Sequence, residues 1–458
     1  MGVWCSERWA GNSRGSLYLA LAPPFESGMM REDKDSLGSI DISDYALWGA
    51  QTQRAIENFR ASGIPISHFP SLIRALAQVK RAAAAVNASQ GRLDPVLARA
   101  ITQASDEVID GVHGAHFPVD VLQGGAGTSS NMNMNEVLAN RALEILGHPR
   151  GAHHILHPND HVNLCQSTND VYPTAIRLAL MAETVGLQAA LTGLAAAFAT
   201  KGTEFAGIEK LGRTQLQDAV PMTLGQEFNA FANTLREDIE RLGEIPRLFA
   251  EINLGGTAIG TGLLAPASYR AAVVPELARL TGLPLTPAQD LIESSWDTGA
   301  FVLFSGMLKR TATKLSKIAN DLRLLSSGPR GGLGEISLPA IQPGSSIMPG
   351  KVNPVIPEMV NQIAFQVIGA DLTVTMAAEA GQLQLNAFEP IIAYNLLSVL
   401  TLLPRGATAL AQLCVAGLMA NPETCRAHLD RSTARVTAMV PEIGYARAAE
   451  LAKEFLQS

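Results

Sequence analysis

The sequence predicts a mainly α-helical subunit built around a long central helical bundle. Modest loops separate most of the long helical stretches, so these should be neighbours in space. No strand-rich segment of any size and no alternation of strands with helices occurs, which argues against a parallel α/β sheet. The stretches are rich in alanine and leucine and lie at about residues 171–201, 224–251, 296–326, 355–379 and 388–418.

Composition and charge limit the classes of function. The chain has 458 residues, of which 47% are hydrophobic and 17% charged, so it can bury large cores in roughly two to four domains. The formal net charge is -7, and no basic run with interleaved aromatic residues is present, which argues against a nucleic-acid partner. An anionic substrate therefore requires locally placed cations.

Four segments follow one another along the chain. Residues 1–29 are expected to be an N-terminal extension, disordered or foreign to the working protein. Residues 30–168 form a mixed helical domain, with apolar residues at helical spacing over 71–86 and a second helix over 95–110. Residues 169–423 form the bundle, and its last helix is expected to break or kink at Pro404. Residues 424–458 are expected to be an incomplete small C-terminal domain.

The long helices indicate several subunits rather than a membrane protein. They are apolar on most faces, so one subunit of this size hides few of them, and closed homo-oligomers are the common solution. Uncharged runs at 184–200, 390–404 and 406–422 are short for a bilayer and carry polar residues, so they are interpreted as buried core helices. Four cysteines without C-x-x-C spacing fit reduced thiols in the cytoplasm.

Residues 344–354, called the signature loop below, have the sequence GSSIMPGKVNP. Two prolines and two glycines keep this loop out of regular helix or strand. It is not a nucleotide-binding loop, because five residues separate its glycines where four are needed, and Val352 stands where Ser or Thr would bind Mg²⁺. His153, His157 and His161 have metal-ligand spacing for a helix, but Pro158 breaks that helix, so no metal site is predicted.

Three polar clusters interrupt the apolar helical sequence. They are rich in neutral hydrogen-bond donors, more than surface loops or helix caps require. Together with Lys351 they could surround a small anion with hydrogen bonds in a partly dry site, although spacing alone does not bring them together. The clusters lie at residues 124–133, 166–170 and 212–218.

The signature loop resembles the signature of the fumarase/aspartase superfamily. The three clusters resemble the superfamily's other characteristic segments in the same order, and the resemblance covers residues 32–450. It implies a three-domain subunit with a long helical bundle shared in a homotetramer. It also implies composite active sites, each built from three subunits. No cofactor is implied to be required, and a divalent cation stays open as an activator.

Four differences favour the aspartase branch of the superfamily over class II fumarases. Thr168 stands where fumarases typically carry Ser, and Gln215 where they carry His. The aspartase branch is also favoured by Ala126 with Ser129 and by His161. The resemblance therefore implies elimination of ammonia from L-aspartate to give fumarate. The alternatives are a class II fumarase and a non-catalytic helical scaffold.

The resemblance also assigns roles to ten residues. Ser345 would be the base that removes the Cβ proton, giving an aci-carboxylate that needs preorganised donors. The donors to the β-carboxylate would be Thr128, Ser167, Thr168 and Ser346. The groups on the α-carboxylate would be Lys351 and Asn353. The groups near the amino group or the α-carboxylate would be Asn169, Thr214 and Gln215.

Overall fold

A computed structural model of the chain describes residues 29–344 and 346–457. The predicted N-terminal extension, apart from its last residue, and the predicted base Ser345 lie outside the described residues. Fifteen α-helices occur in the described part of the chain. They are α1 Ala50–Asn58, α2 Pro70–Ser89, α3 Pro95–Ile109, α4 Thr128–Ile145, α5 Thr168–Glu204, α6 Leu224–Leu242, α7 Ile245–Leu248, α8 Ala267–Thr281, α9 Gly299–Leu325, α10 Val355–Glu379, α11 Glu389–Ala409, α12 Pro422–Asp430, α13 Ala434–Ala438, α14 Val440–Ile443 and α15 Tyr445–Gln457.

Short strands pair two by two beside these helices. Three pairs are antiparallel, namely β1 with β2, β3 with β4 and β7 with β8, whereas β5 and β6 are parallel. The mainly α-helical prediction is therefore confirmed. The strands are β1 Met30–Asp35, β2 Gly38–Ser43, β3 Glu209–Thr214, β4 Gln217–Thr223, β5 Glu251–Ile252, β6 Thr286–Pro287, β7 Ile336–Ser337 and β8 Met419–Ala420.

The bundle consists of α5, α6, α9, α10 and α11. Its longest helix, α5, has 37 residues and is therefore about 55 Å long at about 1.5 Å per residue. The guanidinium of Arg177 lies 5.6 Å from the ring of Phe301, so α5 and α9 start at the same end. At the other end, Arg323 near the end of α9 donates to Asn361 near the start of α10, at 3.1 Å. The helices therefore separate two ends of the molecule.

Two of the five bundle helices differ from their predicted bounds. The helix expected over 224–251 ends at Leu242, and the chain turns at Gly243 into the short helix α7 before β5 begins. The last helix does not break at Pro404, because α11 continues to Ala409 and passes into a π-helical turn over Leu410–Val415. The other predicted helices agree with the structure to within a few residues.

The surface of α10 carries an uncovered apolar stripe. Phe365, Leu372 and Met376 are each more than 60% exposed, and Ile368 is 42% exposed. The spacing of three, four and four residues puts all four side chains on one face of the helix. An exposed apolar face of this kind marks an interaction surface.

Two described helices are long and apolar enough to cross a membrane. The window in α5 has a mean hydropathy of 1.4 and is 50% buried, and that in Glu389–Val415 has values of 1.3 and 44%. A buried core helix meets the same criterion. Since α5 packs against α6 and α11 along its length, we assign both helices to the bundle core.

Three cysteines of the described chain are buried free thiols, namely Cys165, Cys414 and Cys425. Residues Pro158–Val162 form a single π-helical turn, so His153, His157 and His161 do not lie on one continuous helix. The His153 and His157 rings lie 5.8 Å apart, and His153 approaches Asp33 at 3.2 Å. Within the described residues, no three His, Cys, Asp or Glu side chains are grouped so as to hold a metal ion.

Candidate active site

Residues 124–127 form a tight turn ahead of α4. Gly125 and Gly127 have φ angles of 82° and 87°, in the region that favours glycine. A Cβ on Gly127 would also lie 2.5 Å from the ring of Tyr172. The turn presents Thr128, the first residue of α4, at the surface, where its hydroxyl donates to the Gly125 carbonyl at 2.6 Å.

Residues 163–170, called the α5 entry below, lead into the longest helix. Ser167 is the N-cap, and its hydroxyl accepts the Asn169 N–H at 3.2 Å. The Asp170 carboxylate in turn accepts the Ser167 N–H at 3.0 Å, which completes a capping box. The capping box fixes Ser167 and Asn169, two candidate substrate-binding residues, relative to the helix axis.

A glycine-rich segment that includes Gly255 and Thr257 holds the α5 entry through hydrogen bonds. The second oxygen of Asp170 accepts the N–H groups of Gly255 and Thr257, both at 3.0 Å. Burial raises the pKa of Asp170 to about 6, although these N–H groups favour its charged form. Asn253 donates to the Asn169 carbonyl at 2.9 Å, and the Asn169 amide donates to Ala258 at 2.8 Å.

The first two clusters meet at Asn131 and Thr168. The Asn131 amide donates to the Thr168 hydroxyl at 3.0 Å, and the two residues are 1% and 9% exposed. Four predicted binding residues therefore lie where α4 and α5 begin, namely Thr128, Ser167, Thr168 and Asn169. Helix N-termini favour anions, so this end of the bundle suits a carboxylate.

Lys80 of α2 is a residue that sequence reasoning missed. It is fully buried, and its ammonium donates to the Asn163 and Gln166 side chains of the α5 entry at 2.8 and 3.0 Å. Burial lowers the pKa of Lys80 to about 7. The signal was available in the sequence, because Lys80 lies four residues after Leu76 on the apolar face of α2.

Thr214 and Gln215 lie at the tip of the β3–β4 hairpin. The hairpin loop has two residues, Gln215 and Leu216, with φ angles of 54° and 62°. Both φ values belong to the left-handed region, which non-glycine residues adopt at a cost in energy. The side chains of Thr214 and Gln215 are exposed. Strain at an exposed tip with polar side chains fits a functional position.

A buried carboxylate anchors this hairpin. Glu335, at 0% exposure, accepts from Arg213 at 2.8 Å and contacts His428 of α12 at 2.9 Å. Its other oxygen lies 3.0 Å from the ammonium of Lys210. Burial alone would raise the pKa of Glu335, but the charge of Lys210 and the hydrogen bonds with His428, Arg213 and Lys210 hold it below its ordinary value. Glu335 thus ties β3 to the C-terminal helices, a link that nothing in the sequence indicated.

The signature loop is closed by two described hydrogen bonds between its ends. The Gly344 N–H donates to the Lys351 carbonyl at 3.0 Å, and the Asn353 amide donates to the Gly344 carbonyl at 2.7 Å. A Cβ on Gly344 would lie 2.1 Å from the Lys351 oxygen, so only glycine fits there. The side chains of Ser346 and Lys351 are exposed, and that of Asn353 is half-buried.

One chain does not bring all predicted residues together. The α5 entry lies at the end where α5 and α9 start, whereas the signature loop precedes α10 and lies where α9 ends. The β3–β4 hairpin follows the last residue of α5 and lies at that far end too. About 55 Å of helix therefore separates the Thr168 cluster from Lys351 within a single subunit.

Comparison with known proteins assigns this fold, with its donor clusters, to the lyases. A family model described as Lyase matches residues 38–369, and the chain belongs to this family. Within it, the aspartate ammonia-lyase of Pseudomonas aeruginosa is 58% identical, covering 93% of this chain and 90% of that protein. The resemblance to the fumarase/aspartase superfamily is thereby confirmed.

Solved structures agree with the assignment. One titled fumarate lyase:delta crystallin from Brucella melitensis, bound to cobalt, is 62% identical with a TM-score of 0.92, and 94% of this chain and 93% of that chain are covered. The class II fumarase of Schistosoma mansoni is 38% identical with a TM-score of 0.89 and coverages of 93% and 92%. The fold is thus shared with a class II fumarase, and the 38% identity to that fumarase is lower than the 58% identity to the aspartate ammonia-lyase of Pseudomonas aeruginosa.

Proposed function

We propose that the protein eliminates ammonia from L-aspartate to give fumarate, reversibly. The observation that carries this proposal is the 58% identity, over 93% of the chain, to a relative named for that reaction. The hydroxyl donors at the start of α4 and α5 and the Lys351 cation supply the chemistry that a dicarboxylate substrate needs. Free cysteines in the described part of the chain and a sequence without a basic run fit a cytoplasmic enzyme acting on a small molecule.

The mechanism that we propose begins with proton abstraction from Cβ. Ser345 removes the proton, and the electron pair moves into the β-carboxylate to form an aci-carboxylate dianion. Donors fixed before the reaction stabilise such charge best, because they need no reorganisation. Thr128, Ser167, Thr168 and Ser346 are the proposed donors. The electrons then return to form the Cα–Cβ double bond as ammonia leaves.

The remaining groups would hold the rest of the substrate. Lys351 and Asn353 would bind the α-carboxylate, and charge-assisted hydrogen bonds of the Lys351 type are stronger than neutral ones. Asn169, Thr214 and Gln215 would lie near the amino group or the α-carboxylate. No metal enters these steps, so activity should survive exhaustive dialysis against EDTA. Activity that is lost with EDTA and restored by Mg²⁺ would replace this part of the proposal.

A homotetramer with composite sites would complete the active site. The two ends of one bundle are about 55 Å apart, so donors from both ends meet only if chains pack antiparallel. The apolar stripe on α10, which includes Phe365 and Leu372, offers the surface for that packing. Each site would then combine the α5 entry, the hairpin and the signature loop of different subunits.

Subunit mixing tests the composite site directly. Thr168→Val and Lys351→Met should each be nearly inactive, because each removes one component from every site. When the two variants are denatured together and refolded, random assembly should restore wild-type components in about a quarter of the sites. Sites built within one chain would show no recovery, and that result would contradict the composite arrangement.

The substrate assignment is tested by a product assay. Purified protein supplied with L-aspartate should generate fumarate, and Ser345→Ala should lower the rate by roughly 10² to 10⁴ while the protein stays folded. The fumarase alternative is separated by supplying fumarate with and without ammonium. Formation of malate without ammonium would favour the hydratase, and inactivity towards both substrates would favour a scaffold.

A further inference from the structure

The ammonium of Lys80 lies at the centre of a buried polar network behind the α5 entry. Lys80 is 0% exposed and belongs to the apolar helix α2. Its ammonium donates to the side-chain oxygens of Asn163 and Gln166. A buried ammonium is costly unless its surroundings compensate it, and the charge of Asp170 favours the charged form of Lys80. Such a group needs a reason beyond packing.

A lysine ammonium can only donate, and this property determines how the two amides point. Asn163 and Gln166 must turn their oxygens towards Lys80, so their nitrogens face the backbone of the turn. The Asn163 nitrogen donates to the Gln166 carbonyl at 3.3 Å. The Gln166 nitrogen donates to the carbonyls of Val162 and Leu164 at 2.9 and 3.2 Å. Lys80 thereby fixes the shape of the turn.

The direction of donation continues to the candidate site. The Asn163 oxygen also accepts from the Asn131 nitrogen at 3.3 Å, and the same nitrogen donates to the Thr168 hydroxyl oxygen at 3.0 Å. Because Thr168 accepts at its oxygen, its own proton is left to be donated elsewhere. A carboxylate at the start of α5 is the acceptor that the proposed function supplies.

We propose that Lys80 is a positioning residue for the reaction. Its ammonium orients Asn163 and, through Asn131, makes Thr168 a hydrogen-bond donor to the substrate carboxylate. This inference rests on the proposed function and adds to it a residue that does not touch the substrate. It also gives a reason for a charged residue on the apolar face of α2.

Replacement by methionine tests the proposal, because Lys80→Met keeps the length and removes the donors. The oriented Thr168 proton matters most when charge develops, so kcat should fall roughly 10- to 100-fold with KM changed less than about threefold. Val79→Ala is the matched control, since Val79 is the fully buried neighbour in the same helix. It should lose thermal stability and keep kcat within about twofold.

A double-mutant cycle identifies the route. If Lys80 acts through Asn163, Lys80→Met should add little to the kcat loss of Asn163→Leu, whereas independent effects would multiply. Multiplying effects, or a folded Lys80→Met enzyme with normal kcat, would overturn the proposal. If Lys80→Met does not fold, Asn163→Leu decides alone, because normal kcat in that variant contradicts the relay.

Failure of the proposed function would be visible separately. The wild-type enzyme is assayed on L-aspartate in the same experiment, and an inactive wild type contradicts the function rather than the role of Lys80. In that case thermal stabilisation by succinate, a simple dicarboxylate, measures the site. A half-saturating succinate concentration that is raised about two- to threefold in Lys80→Met and unchanged in Val79→Ala supports the positioning role, and equal concentrations for all three proteins overturn it.

Discussion

The α5 entry and the signature loop carry opposite halves of the proposed site, and they are held in opposite ways. Thr168 is 9% exposed and is fixed by buried amides, by a capping box and by the network around Lys80. Lys351 is exposed on a loop whose described ends are joined by two hydrogen bonds. One half is built into the core of its own chain, and the other projects from the chain.

The difference follows from what each half must do. Donors that stabilise developing charge work best when they are already in place, and burial among satisfied amides supplies that order. In the proposed mechanism the signature loop admits the substrate and releases fumarate, and loops with few buried contacts open at low cost. We therefore expect substitutions in the α5 entry to affect stability and rate together, and substitutions in the loop to affect rate alone.

The largest effect is expected for Lys351→Met. Removing the loop cation takes away charge-assisted hydrogen bonds to the α-carboxylate, so kcat/KM for L-aspartate should fall by roughly 10³. The thermal midpoint should stay within about 1 °C, since the side chain is exposed. Lys453→Met, at an exposed position of α15, is the control that should leave kcat/KM unchanged. A tenfold loss or less would remove Lys351 from the substrate site.

Thr168→Val should lower kcat less, by roughly 10², because other donors remain on the same carboxylate. Unlike the loop variant, it should also cost about 1–3 kcal/mol of unfolding free energy, since the buried Asn131 donor loses an acceptor. Thr184→Val removes a buried hydroxyl further along α5 and should leave kcat unchanged. Loss of rate without loss of stability would break the contrast between the two regions.

Glu335→Gln should loosen the far end of the bundle, which carries the β3–β4 hairpin, and should leave the α5 entry unchanged. Neutralising Glu335 leaves Arg213 and partly Lys210 without a counter-charge and weakens the contact with His428, and breaking a buried pair costs about 3–5 kcal/mol. Urea titration should show this loss, with kcat/KM lowered several-fold through the hairpin of Thr214 and Gln215. Glu204→Gln, an exposed partner of Lys201, should change neither quantity. Unchanged stability would contradict the anchoring role.

The smallest effect concerns acid stability away from both regions. Burial, followed by the charges of His113 and Arg150, lowers the pKa of His116 to about 4. The unfolded chain then binds this proton more readily, so the stability is fully present above pH 6.5 and is lost as the pH falls towards 4. We expect His116→Asn to reduce that loss by on the order of 1–2 kcal/mol. An identical pH dependence in both proteins would contradict the shift.

Local patterns predicted the helices well, because periodic apolar residues and capping signals act within a few residues. The helix predicted over 171–201 is α5, and its N-cap Ser167 belongs to the polar cluster at residues 166–170. The same reasoning predicted one helix over 224–251. That prediction was wrong, because Gly243 ends the helix and the apolar periodicity does not signal the turn. Pro404 was expected to break or kink the last helix; α11 does not break there but continues to Ala409 and changes to a π-helical turn six residues after the proline.

The sequence by itself determined the family, the order of the motifs and the types of donor that the chemistry requires. The tertiary structure decided where they meet. It joined Thr168 to Asn131, buried Lys80 beneath the turn and separated the α5 entry from Lys351 by the length of a helix. These facts depend on contacts between residues far apart in the chain, such as Lys80 and Gln166, which form only when helices pack. Local propensity carries no information about that packing, so the signature loop alone could not show that it lies at the other end of the bundle from the α5 entry of its own subunit.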